Sequence, residues 1–266
     1  MTTETTARRR RGIRHPAALA IFLGPFGLLF ALFYLVPIGY AVYQSLLTVE
    51  REGTFGIVQV PVMLGLALLL ALLLDSPLVK GKRFFRLAFF APYAVPGVIA
   101  AIMWGFLYSP KLSPFTAITG NVDFLGADLV LWSIANVVTW VFVGYNMLII
   151  YSSLLSIPTE IYEAARLDGA SQFRIAMSVK IPLVRPAITL TAIFSIIGTL
   201  QLLAEPQVFK SFTSAVTSTF TPNLTIYSTA AVPNVNLAAA FSVVLALFTF
   251  ALSFGVLKFT QRKDDA

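Results

Sequence analysis

The feature that most constrains this chain is the recurrence of long apolar stretches almost free of charge. Six are present, at about 17–45, 54–74, 87–108, 129–154, 187–205 and 237–258. At 1.5 Å rise per residue, about 20 such residues cross the hydrocarbon core of a bilayer. In that medium each backbone N–H and C=O must be satisfied within the protein, so the expected fold is all-α, with six transmembrane helices. Composition agrees, since 58% of the 266 residues are hydrophobic and only 12% are charged, outside the range of soluble globular domains. No cleavage pattern follows the first stretch, which is therefore read as a retained span.

Loop charge then orients the chain. With the N-terminus in the cytoplasm, the inside segments hold Arg8, Arg9, Arg10, Arg11 and Arg14; Lys80, Lys82, Arg83 and Arg86; Arg166, Arg174, Lys180 and Arg185; and Lys258, Arg262 and Lys263. That is 16 of the 19 basic residues, leaving Arg51, Lys111 and Lys210 outside. The bias of Lys and Arg towards the cytoplasmic side selects both termini inside and an even number of crossings. The expected organisation is a basic N-terminal tail (1–16), a transmembrane domain (17–260) containing a polar loop at 157–186, and a short cytoplasmic tail (261–266). A net charge of +7 suggests nucleic acid in a soluble protein. Here the arginine run precedes a span, and attraction to anionic lipid accounts for it.

Catalytic chemistry is hard to find. The chain has no cysteine, hence no thiolate metal site or thiol nucleophile. Its single histidine, His15, stands at the edge of the first span without partners nearby. Gly81-Lys82 continues into Arg83 and Phe84 with no glycine-rich loop upstream, so there is no phosphate-binding loop for ATP. No zinc-protease or serine-hydrolase motif occurs, and the deep spans carry essentially no ionisable groups. Intramembrane enzymes and proton-coupled carriers need such groups, and the same absence disfavours sodium coupling, although a Na⁺ site can also be built from carbonyls and hydroxyls. What remains is a membrane subunit energised by another polypeptide.

The contact for that partner is expected at 157–186, IPTEIYEAARLDGASQFRIAMSVKIPLVRP. Pro158 suits a first helical turn, and Glu160 and Glu163 stand where the helix dipole favours anions. Ala164 and Ala165 give a smooth surface, with Leu167 at i+4 of Glu163. Asp168-Gly169 is expected to stop the helix, because glycine takes a positive φ freely. Ser171 is placed to cap a second helix running to about Val179. Singly, each of these residues is also ordinary helix construction, and Glu163 has Arg166 as an exposed neighbour at i+3.

Their order, however, resembles the cytoplasmic loop of the membrane subunits of ABC importers. The pattern is Glu163-Ala164-Ala165, then Gly169, then Val179-Lys180-Ile181-Pro182. SIPTEIYEAARLDGA and FFRLAFFAPYAVPGVIAAIMW resemble the carbohydrate branch, the maltose- and glycerol-phosphate-type permeases, from about Val60 to the C-terminus. The resemblance implies a type I importer fold in a bacterial cytoplasmic membrane. Glu163, Ala164, Ala165, Asp168 and Gly169 would form a coupling helix seated on a cytoplasmic ATPase dimer. It also implies a second permease subunit and an extracytoplasmic sugar-binding protein. The chain itself would be a non-catalytic subunit without cofactor, ATP and Mg being bound by the ATPase subunits.

Candidate solute contacts are polar or aromatic groups within the spans, since sugars are held by aromatic stacking with amide and hydroxyl hydrogen bonds. Asn136, Trp140, Tyr145 and Asn146 in the fourth span fit, as do Ser195, Thr199 and Gln201 in the fifth. Trp140 and Gln201 lie near positions that contact sugar in the maltose permease family. The same residue types also join membrane helices together. Pro92 and Pro96-Gly97 are candidates for a kink in the third span, and Glu205-Pro206 ends the fifth, with the carboxylate expected in interfacial water. Two segments depart from the family pattern: the short connection before Thr54, and the Ser/Thr-rich stretch 210–222. The alternatives are a permease of the same type for glycerol phosphate, or a membrane scaffold or sensor that docks a soluble protein without transport.

Overall fold

The computed structural model describes residues 52–264, except 78, 116–121 and 232–233. The first expected span at 17–45, the basic tail, His15 and most of the short connection before Thr54 lie outside the described residues. Those described fall in one compact unit, Thr48–Ala266, and are helical, with no strand among them.

In chain order the helices are α1 (Glu52–Asp75), α2 (Lys82–Phe90), α3 (Gly97–Tyr108), α4 (Val130–Leu155), α5 (Thr159–Leu167), α6 (Gln172–Ile175), α7 (Ile181–Leu183), α8 (Arg185–Leu200), α9 (Ala204–Phe209), α10 (Pro222–Ala231) and α11 (Val235–Asp264). Four are long and apolar enough to cross a bilayer: Val58–Asp75 in α1, Val130–Leu155, Arg185–Phe209 across α8 and α9, and Val235–Lys258 in α11. A fifth crossing arises if α2 and α3 form one broken span, bent by 95° between Lys82–Ala94 and Gly97–Tyr108. The described residues thus supply four or five spans of the expected six.

The third expected span is broken rather than kinked, and its sequence shows why. A 3₁₀ turn, Ala91–Ala94, follows α2, after which Val95 is extended (φ −81°, ψ 125°) and Pro96 continues so (ψ 134°). Pro92 and Pro96 lack the N–H that helix continuation requires, and Val95, preceding Pro96, is driven out of the α region, whereas Ala91 before Pro92 keeps α-helical angles (φ −52°, ψ −40°). The fifth span is also interrupted, at Gln201. The Asn223 amide donates to the Gln201 carbonyl at 2.8 Å and the Thr221 hydroxyl to the Leu202 carbonyl at 2.9 Å, satisfying groups that the break frees. This gives the Ser/Thr-rich stretch a structural role. Within it Val216 is buried in the core, and Thr213 donates to the Leu125 carbonyl at 2.8 Å.

The bundle is organised around α4, the most buried of the spans. The first half of α4 packs Val130, Ile134, Val137 and Val141 against Ala100 and Ala101 of α3 and Phe209 of α9. The second half packs Met147, Ile150 and Leu154 against Ala67, Ala71 and Leu74 of α1. Gly144 lies between these clusters, where a Cβ would come within 1.9 Å of the Phe89 carbonyl oxygen. Only glycine allows α2 to approach α4 so closely. By contrast α11, which packs on α8 and α10, is the least buried span.

Candidate functional site

The loop after α4 builds a short helix with a sharply defined end. Pro158 immediately precedes α5, Glu160 lies in its first turn and Arg166 in its last. At its C-terminus Gly169 adopts φ +78°, and two backbone bonds run backward, from Ala170 N–H to the Ala165 carbonyl and from Gly169 N–H to the Arg166 carbonyl, each 3.0 Å. This is a Schellman ending, which requires a left-handed residue at the glycine position. Glu163, Ala164, Asp168 and Gly169 are exposed, Ala165 is half-buried, and Leu167 is 89% exposed.

Ser171 caps the second helix as expected, its hydroxyl accepting from Arg174 N–H at 3.3 Å. That helix does not run uniformly to Val179. It is α for Gln172–Ile175 and then π for Ala176–Lys180. The π turn delivers the Lys180 side chain inward, where it pairs with the carboxylate of Asp75 at the end of α1. Lys180 Nζ also lies 5.0 Å from the centroid of the Tyr162 ring. The Tyr162 hydroxyl is buried without a hydrogen-bond partner. Burial, followed by the negative charge of Asp75, pushes this phenol up to about 12.

The expected polar residues fall into four settings. Asn136 donates to the Tyr108 hydroxyl at 2.8 Å, and Trp140 meets Trp104 edge-on, with centroids 5.8 Å apart. These four side chains from α3 and α4 form an aromatic-amide group in which the Trp104 indole N–H is buried and unpaired. Tyr145 stacks on Tyr93, in the turn between α2 and α3, at 4.7 Å. Asn146 and Thr199 instead join helices. Asn146 is buried and donates to Ser195 at 3.2 Å, and Thr199 donates to Gln59 at 3.2 Å. Gln201 is exposed at the end of α8.

Sequence reasoning missed Gln59, Trp104, the Asp75–Lys180 pair and the environment of Glu205. Gln59 is 3% exposed and also donates to Thr139 at 3.4 Å, so it links α1, α4 and α8. A lone amide inside an apolar run was the available signal. Glu205, expected in interfacial water, is 5% exposed, with its Oε1 3.0 Å from where a Cβ on Gly97 would lie. Its depth follows from α9 folding back onto α3 after the break at Gln201, which periodicity does not reveal.

Solved structures share this architecture. A chain of a bacterial ABC transporter involved in the import of the acidic polysaccharide alginate aligns at TM-score 0.61 and 17% identity, over 92% of this chain and 95% of that one. The MetNI methionine ABC transporter aligns at TM-score 0.55 and 16% identity, over 81% and 92%. The fold is thus that of type I ABC importer permeases.

The lactose transport system permease protein LacF of Rhizobium radiobacter is 31% identical over 77% of this chain and 72% of its own. The diacetylchitobiose uptake permease NgcF of Streptomyces coelicolor is 26% identical over 66% and 52%. The arabinooligosaccharide permease AraP of Halalkalibacterium halodurans is 27% identical over 60% and 53%, so the matched region spans about half of these last two relatives. Residues 63–263 match the family of binding-protein-dependent transport system inner membrane components, and the chain belongs to it.

Proposed function

We propose that this permease carries a sugar, a di- or oligosaccharide, into the cytoplasm, driven by a separate ATPase dimer. The observation that carries the reading is the exposed, Schellman-capped helix α5, with Glu163, Ala164, Leu167 and Gly169 open to a partner. Glu163 would accept a charge-assisted hydrogen bond from a basic group of the ATPase, while Ala164 and Gly169 permit close approach. The bias of Lys and Arg in the sequence supports a cytoplasmic position for this loop and for both termini. ATP and Mg would reside on the ATPase, and solute would arrive on an extracytoplasmic binding protein and pass between two permease subunits. The relatives that carry lactose, diacetylchitobiose and arabinooligosaccharides support a carbohydrate. Asn136, Trp140, Tyr145 and Gln201 are the proposed solute contacts, with Asn146 and Thr199 holding the helices that frame them. The second reading, glycerol phosphate, rests on the sn-glycerol-3-phosphate permease UgpA of Agrobacterium fabrum, 26% identical over 79% of this chain.

The test replaces Glu163 by Lys and, separately, Gly169 by Leu, and measures recovery of the ATPase with the purified permease together with solute uptake into proteoliposomes. The expected result is loss of both, by about tenfold or more when a charge-assisted contact is reversed. Wild-type recovery and uptake in both variants would remove the coupling role. A panel of labelled disaccharides and glycerol 3-phosphate separates the two substrate readings.

A further inference from the structure

Three segments distant in sequence meet at one charged point. Asp75 is the last residue of α1, Lys180 the last of the π turn, and Tyr162 the neighbour of Glu163 on α5. The Asp75 and Lys180 side chains are 11% and 9% exposed and paired with each other. The Tyr162 ring covers the same ammonium at 5.0 Å, and Lys82, at the start of α2, donates to the Asp75 carbonyl at 3.2 Å. A buried pair of this kind adds little net stability over an apolar packing, yet either partner left alone is costly. Such a pair therefore enforces one relative placement of the segments that bear it. The turn that supplies Lys180 is a π segment, Ala176–Lys180, a rare geometry often found at functional sites.

The opposite part of α1 holds a second polar contact with neighbouring helices. Gln59 lies 16 residues before Asp75, about 24 Å along a continuous helix, and meets Thr139 of α4 and Thr199 of α8. We propose that Asp75, Lys180 and Tyr162 are positioning residues that lock the coupling helix to α1, so that its displacement moves α1 against α4 and α8 at Gln59. This inference rests on the coupling role proposed above. It adds α1 as the element that is driven and the ion pair as the fastening.

The test uses the complete transporter, with its ATPase and binding protein, in proteoliposomes, and reads solute taken up per ATP hydrolysed. Asp75→Asn and Lys180→Met are expected to retain the ATPase and hydrolyse ATP while uptake per ATP falls about fivefold or more, the usual scale of a coupling energy. The reciprocal exchange, Asp75→Lys with Lys180→Asp, is expected to recover part of the loss, as a purely local packing role would not require. Single variants that bind the ATPase and transport with wild-type stoichiometry would overturn the proposal. So would an exchange that restores assembly but leaves uptake per ATP as low as in the single variants. If the single variants do not accumulate in the membrane, Tyr162→Leu carries the test. That variant keeps the pair and removes the ring, and wild-type uptake per ATP in it overturns the lock. Failure of the coupling reading itself looks different, because Glu163→Lys and Gly169→Leu then leave ATPase recovery and uptake unchanged.

Discussion

Gly144→Ala places the heaviest demand on the packing of this bundle. A Cβ there would lie 1.9 Å from the Phe89 oxygen, 2.6 Å from the Phe89 carbonyl carbon and 3.0 Å from Phe90 Cα. Ordinary contact begins at 3.4 Å, so α2 must retreat from α4 by about 1.5 Å, a gap large enough to forfeit much of the dispersion energy along that seam. All three atoms are backbone, so no rotamer change relieves the overlap. Overpacking costs about 1–3 kcal/mol, and a rigid neighbour puts this site at about 3, against which alanine's better helix propensity returns about 1. The net loss of about 2 kcal/mol corresponds to a melting temperature about 4–8 °C lower. The assay is heating of the purified protein in detergent, followed by size-exclusion recovery of the monodisperse peak. Gly198→Ala is the control, since nothing lies within 4 Å of a Cβ at that site, and no loss is expected from it. A Gly144→Ala protein that melts at or above wild type would refute the close approach of α2 and α4.

Gln59→Leu removes donors or acceptors to Thr139 and Thr199, and interhelical hydrogen bonds in membranes average about 0.6 kcal/mol. Melting should fall by only about 2–4 °C, and adding Thr199→Val should cost little more, because both changes break the same bond. Fully additive losses would show that the two side chains act independently. The Tyr162 phenol, held up to about 12, gives a pH prediction. Below pH 10 it is protonated in both folded and unfolded chains and contributes no pH dependence. Between pH 10 and 12 the unfolded chain loses that proton first, so it binds fewer protons and stability declines as pH rises. Denaturation followed across that window should show a shallower decline in Tyr162→Phe, and an identical decline would place the phenol in water.

The described spans were legible because length and apolarity alone determine them, and the loop helix because Pro158, Glu160 and Gly169 each act within a few residues of their own position. The break near Pro92 and Pro96 was legible as a disturbance but not as a 95° bend, whose angle depends on what α2 and α3 pack against. Long-range meetings left no local trace. Asp75 and Lys180 are 105 residues apart, and Gln59 and Thr199 are 140 apart. In a soluble helix an apolar stripe tells which face is inward. Here lipid and protein interior are equally apolar, so that signal vanishes. Gly144, Gln59 and Glu205 are consequently where sequence reasoning fell short, each defined by a neighbour on another helix.

The two ends of α1 differ in what it costs to disturb them, and that difference has a direction. At Gln59 the contacts are neutral hydrogen bonds worth about 0.6 kcal/mol each, and the freed amide and hydroxyls find other partners when helices slide. At Asp75 the contact is a shielded ion pair, and separating it leaves uncompensated charge at a cost of about 3–5 kcal/mol. On the coupling role proposed for α5, a push delivered through it would break the Gln59 end before the Asp75 end. The polar contact among α1, α4 and α8 would then be the part that opens, and the ion pair the part that travels with α5. Interchanging the two kinds of contact would reverse that order, leaving a loop that slips while the interior stays closed.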